Sequence, residues 1–110
     1  MTLEESFCNL YDKFGDDFNW TVISPANKYY SNEAENEIKP GHPLYGLKMW
    51  SVAKCESKDD VMFVLEDGRY VILHLTYCKN IDPNYPNYIS FNYLQDAIEY
   101  IEKQYCEEYC

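Results

Sequence analysis

Arginine is almost missing from this chain. Arg69 is the only one, and Lys and Arg together number nine against nineteen Asp and Glu, a net charge of −10. Phosphate backbones are gripped by clustered Lys and Arg, so the composition argues against direct nucleic-acid binding and against an anionic membrane surface. Glycine is scarce as well. Gly15, Gly41, Gly46 and Gly68 lie far apart, which leaves no loop of closely spaced glycines to cradle a phosphate. No apolar run approaches the ~18 residues of a transmembrane helix. The start, Met1-Thr2-Leu3-Glu4-Glu5, shows neither a basic n-region nor an apolar h-region. Five cysteines (Cys8, Cys55, Cys78, Cys106, Cys110) are an odd number at irregular spacing. That argues against a disulfide framework, and Cys106 with Cys110 supply only half of a zinc site. The expectation is a cytoplasmic protein with buried, reduced thiols, no metal and no cofactor.

What is present is tyrosine. Apolar residues make up 46% of the chain and aromatics 17%, with twelve tyrosines. The apolar share suffices for one core, and the length predicts a single domain over 1–110. Tyrosine pairs a large apolar ring with a hydroxyl that needs a partner, which suits half-buried positions and interfaces. Excess acid adds a second pointer, because a field of one sign steers encounter with a partner of the opposite sign.

The spacing predicts a helix over Leu3–Phe14. Leu3, Phe7, Leu10, Tyr11 and Phe14 recur along one face, Thr2 and Glu5 form a capping box, and Gly15 ends it as an αL terminator. Phe18–Ile23 alternates as a short strand. From Pro25 to about Leu44 the chain is polar, poorly periodic and broken by Pro40, Gly41 and Pro43, the pattern of a long loop. Leu47–Cys55, Val61–Leu65 and Arg69–Tyr77 read as strands, and Tyr88–Phe91 as a short one. Asn92 then caps a final helix, with Gln95 at the capping-box position and Leu94, Ala97, Ile98, Ile101 and Tyr105 as its stripe. The fold class is α+β: a mainly antiparallel sheet of about four strands with a central hairpin, flanked by an N-terminal and a C-terminal helix.

Asp67-Gly68 is the strongest local signal, a two-residue hairpin loop that pairs Glu66 with Arg69. This register puts Val61, Phe63, Leu65, Tyr70, Ile72 and His74 on one face and Met62, Val64, Val71, Leu73 and Leu75 on the other. Both faces are apolar, whereas a sheet with one wet face alternates. Either the chain covers both faces itself, or one is reserved for another chain, as in a homodimer through the second sheet face.

No catalytic motif stands out. His74, between Leu73 and Leu75, is a candidate base on an inner strand, and His42 sits in a shaped loop, His-Pro-Leu-Tyr-Gly. Neither has a nucleophile at a recognisable spacing. The carboxylate pairs Asp59-Asp60 and Glu66-Asp67 fall at turn tips, where solvent keeps two acids from diverging in pKa. The cysteines lack the electropositive setting that makes a thiolate.

The segments His42-Pro43-Leu44-Tyr45-Gly46, Asp59-Asp60-Val61-Met62-Phe63, Asp67-Gly68-Arg69-Tyr70 and Leu73-His74-Leu75-Thr76-Tyr77 form a pattern HPLxG…DDVxFxLxDGRYxxxHLTY. In this, residues 42–77 resemble a group of small uncharacterised bacterial proteins. That resemblance implies a shared fold and carries no catalytic residues with it. In size and acidity the chain also resembles immunity proteins that neutralise toxin domains. The functional expectation is a stoichiometric protein-binding module, an immunity-type inhibitor of a basic toxin or nuclease domain. Its partner-binding candidates are Tyr29, Tyr30, Glu33, Glu35 and Glu37 in the long loop and Tyr85 and Tyr88 in the later one. Rival readings are a small hydrolase or transferase using His42 or His74, and a homo-oligomeric structural module.

Overall fold

A computed structural model describes residues 2–15, 18–24, 26–56, 58–77 and 86–109. Three helices, α1 (Leu3–Phe14), α2 (Tyr29–Glu37) and α3 (Leu94–Tyr109), accompany five strands: β1 (Trp20–Val22), β2 (Met49–Cys55), β3 (Asp60–Leu65), β4 (Tyr70–His74) and β5 (Tyr88–Phe91). The strands form one antiparallel meander in the order β1-β2-β3-β4-β5. The α+β class and both terminal helices agree with the sequence reading. The sheet has five strands where about four were expected, because Tyr88–Phe91 pairs fully along β4.

α1 forms where its stripe predicts. The Thr2 hydroxyl accepts from the Glu5 amide at 3.2 Å, and Phe7 and Leu10 are buried. Gly15 sits at φ 77° and ψ −161°. This is a conformation open to glycine alone, and it replaces the αL terminator expected there. α3 opens at Leu94 and lays Ala97, Ile98, Ile101 and Tyr105 on the sheet. Gln95 turns forward to Glu99 at 3.1 Å rather than back to Asn92. Fully burying a large apolar side chain such as Ile101 is worth about 1.5–3 kcal/mol. The two helices share one face of the sheet, and Lys13 of α1 pairs with Glu102 of α3 on the surface.

The long loop expected from residue 25 to about 44 contains a helix, α2. Ala34 of this helix and Ile38, its C-cap, pack with Leu44 and Met49 over Val61, Phe63, Leu65, Val71, Leu73 and Leu75 on the opposite face. The helix escaped the sequence reading because its apolar stripe is so short. Ala34 is its one buried apolar residue and Tyr30 is half-buried, with Ile38 standing past its end as C-cap, and its N-cap, Lys28, makes no side-chain cap. The cap comes from one residue earlier, where Asn27 Oδ1 accepts from the Tyr29 amide at 3.0 Å. Both apolar faces of the hairpin are therefore covered from within the chain.

The hairpin register also needs correction. Val64 pairs with Tyr70 and Asp60 with His74, so Leu65, not Glu66, stands opposite Arg69. The Gly68 amide donates to Leu65 O at 2.9 Å and the Leu65 amide to Arg69 O at 2.8 Å. Gly68 has φ 91°, and Asp67 is not among the positive-φ residues. This is a three-residue loop, a turn ending in a left-handed glycine, and not the two-residue loop that needs positive φ twice. Asp67 serves differently, accepting from the Arg69 amide at 3.0 Å and from its Nε at 2.8 Å. A slip of one residue turns a whole strand over. Val71 and Leu73 thus join Val61, Phe63 and Leu65 under α2, while Tyr70 and Ile72 join Met62 and Val64 under α1 and α3.

Candidate functional site

α2 turns three different sides to its surroundings, and this separates the three acids expected to act together. Glu37 is 1% exposed and is no rim residue. Its Oε1 accepts from the Thr76 amide at 2.7 Å and the Thr76 hydroxyl at 2.8 Å, and its Oε2 from the Tyr77 amide at 3.0 Å. Glu35 is exposed and faces away, into a cleft beside β2. Glu33 is half-buried, one turn before Glu37 on the same side, and the two carboxyls share a hydrogen bond.

The pair divides its charge unequally. Burial pushes the Glu37 carboxyl up, but the hydrogen bonds from Glu33, Thr76 and Tyr77 outweigh it and hold the group below its ordinary value. The bond to Glu37 pushes Glu33 the other way, upward, with burial and the Glu37 charge adding to it. Of the two, Glu37 gives up its proton at the lower pH.

Two tyrosines lie one turn before Glu33 at the start of α2. Tyr29 is 63% exposed and Tyr30 half-buried, with ring centroids 5.0 Å apart and planes at 89°. Tyr77 joins them from the chain beyond β4. It is 41% exposed and is the one non-glycine residue with positive φ among the described residues, at 56°. Left-handed backbone costs an L-residue about 1–2 kcal/mol. The two amides held by Glu37 fix the chain in that conformation. The Tyr77 phenol is pushed up to about 12, first by partial desolvation and then by Tyr29, Tyr30, Asp59 and Glu33. Asp59 arrives through β-pairing: its carbonyl accepts from the Leu75 amide at 3.0 Å. The patch thus joins Tyr29, Tyr30 and Glu33, which the sequence nominates, with Tyr77 and Asp59, which it does not.

Of the remaining candidates, Tyr85 lies outside the described residues. Tyr88 is half-buried on β5 against the His42 ring, with centroids 5.3 Å apart, so it packs inward rather than serving as a surface anchor. His42 is 4% exposed. Its Nδ1 accepts from the Leu44 amide at 3.0 Å, which leaves Nε2 to donate to Pro86 O at 2.9 Å. Both nitrogens are committed to tying residues 42–44 to Pro86. His74 is not on an inner position. Its side chain is 54% exposed and its Nδ1 meets Asp60 Oδ1 at 2.8 Å. The open cleft beside it, about 190 Å³, is lined by Asp60, Ile72, His74, Asn87, Tyr88, Ile89 and Tyr100, a set without serine, threonine or cysteine.

The thiols are less buried than expected. Cys55 is buried, whereas Cys8 is exposed and Cys106 intermediate; Cys78 and Cys110 lie outside the described residues. Among the described residues no group of three or more His, Cys, Asp or Glu is arranged to hold a metal ion, and no helix is long and apolar enough to cross a membrane. A cleft between α2 and β2 holds about 330 Å³ among Lys28, Ser31, Asn32, Glu35, Lys48, Met49 and Trp50. It places these cations on the side of α2 away from the tyrosine cluster. No family model matches the chain, and no curated protein or solved structure is similar to it.

Proposed function

We propose that this protein is a stoichiometric protein-binding module that docks a basic partner, in the manner of an immunity protein neutralising a basic toxin or nuclease domain. The observation that carries this reading is the patch of Tyr29, Tyr30 and Tyr77 beside Glu33 and Asp59, on a chain of net charge −10. Exposed aromatic rings supply anchors that bury large area at small entropic cost, and a rim of acids supplies steering. The rings lie on a regular helix and on a backbone held by a buried carboxylate, so little order has to be gained on docking.

The test is association kinetics against the product of the adjacent gene. A one-to-one complex is expected. Its association rate falls steeply with salt, since the screening length drops from about 10 Å at about 0.1 M to about 3 Å at about 1 M. Glu33→Gln with Glu35→Gln slows association and leaves dissociation nearly unchanged. Self-association in place of a mixed complex contradicts the reading, as does turnover of a small substrate that His74→Ala abolishes with the fold intact.

A further inference from the structure

The tyrosine patch also specifies the chemistry of its occupant. We propose that Tyr29, Tyr30 and Tyr77, with the carboxylates of Glu33 and Asp59, form a receptor for one arginine side chain of the partner. This rests on the protein-binding reading above and narrows it to a single anchoring group.

Three observations lead there. The first is shape: Tyr29 and Tyr30 meet edge to face with planes at 89°, Tyr29 is largely exposed, and Glu37 at the end of the same helix holds the backbone of Tyr77, itself exposed. A planar guanidinium stacks on a tyrosine face while its five N–H groups reach carboxylates at the side. The second is sign. Among the described residues, those that act most strongly on the Tyr77 phenol are two phenols and two carboxylates. Among the described residues, Lys58, next to Asp59 in the chain, lines a cleft with Tyr100 and Ile101 of α3, and Lys28 lines the cleft on another side of α2. The third is that the patch is open while rigidly based. Tyr29 and Tyr77 are 63% and 41% exposed, yet Glu37 holds the Tyr77 backbone from below.

Arginine is favoured over lysine because the site offers flat rings and carboxylates spread around them, which a forked planar cation uses at several points. A lone ammonium uses one. The chain itself contains a single arginine, Arg69, and it is committed to Asp67 in the hairpin loop.

The probe is a capped Gly-Arg-Gly peptide, compared with the same peptide carrying citrulline, which keeps the planar head and removes the charge. Nuclear magnetic resonance of the tyrosine rings follows the titration. The arginine peptide is expected to shift Tyr29, Tyr30 and Tyr77 together, the citrulline peptide to bind at least about tenfold more weakly, and Tyr29→Ala or Asp59→Asn to lose about as much. Both substituted side chains are exposed, so the fold is retained. Equal response to the two peptides overturns the receptor, and so do shifts spread over surface carboxylates with none at the rings. If the receptor fails while Tyr29→Ala still releases the protein partner faster, the protein-binding reading stands. If Tyr29→Ala leaves that release unchanged, the binding reading falls as well.

Discussion

Glu37, buried at the end of α2, receives the Tyr77 backbone amide at 3.0 Å and so fixes a residue 40 positions later in the chain. With the two bonds from Thr76, this carboxylate fastens the covering helix to the end of β4. Glu37→Gln keeps the shape but puts an NH2 group where an acceptor is needed. A loss of about 2 kcal/mol is expected in denaturant unfolding near neutral pH. The cost should shrink in acid. A carboxyl held below its ordinary value of 4.5 contributes stability above that pH and loses it as pH falls through the depressed folded value. Glu33 works in the opposite sense: its raised pKa adds stability below 4.5 that fades as pH rises. Wild type and variant should therefore converge below about pH 4.5, and a gap that stays constant there contradicts the assignment of charge to Glu37.

Tyr77 shows where stability and function part company. At φ 56° its ring is carried on strained backbone. Tyr77→Gly relieves the strain and Tyr77→Ala does not, so the glycine variant should be more stable than the alanine one by about 1 kcal/mol. Both should lose partner binding equally, because both lack the ring. Equal melting temperatures for the two variants would mean that the left-handed conformation is not the native one.

A side chain at Gly68 would be strained only through its backbone, since a Cβ there would meet nothing within 4 Å. Gly68→Val should cost more than about 1 kcal/mol and Gly68→Asn clearly less, as asparagine tolerates φ above zero. Equal costs for the two would point to crowding instead.

Thiol reactivity should follow exposure. Cys8 should react with a thiol reagent in the native protein, and Cys55 only after denaturation. Fast native labelling of Cys55 would contradict its buried place at the end of β2, in the core shared with α1 and α3.

The elements with strong periodicity were legible before the structure. α1 falls on the residues its stripe marks, and β2, β3 and β4 fall within a few residues of their runs. α2 was not legible, because a nine-residue helix with one buried apolar side chain, Ala34, and a half-buried Tyr30 has too little pattern to separate from a loop. The register slipped for a related reason. Asp67-Gly68 marks a turn, but both faces of the hairpin are apolar, so no polar side betrays a shift of one residue. In the site, Tyr29, Tyr30 and Glu33 were accessible from composition. Glu37 was misplaced because an acid beside acids reads as surface, and its partners, Thr76 and Tyr77, lie 39 and 40 residues away. Tyr77 and Asp59 join only once α2 and the end of β4 are packed together.

The central claim is that this patch, and not tyrosine in general, anchors a protein partner. Two exposed tyrosines give a matched comparison: Tyr29, 63% exposed in the patch, and Tyr93, 70% exposed just before α3. The deciding measurement is the dissociation rate of the complex with the adjacent gene's product for Tyr29→Ala and Tyr93→Ala. The account predicts dissociation at least about tenfold faster for Tyr29→Ala and within about twofold of wild type for Tyr93→Ala. Equal effects, or a larger one at Tyr93, would contradict it.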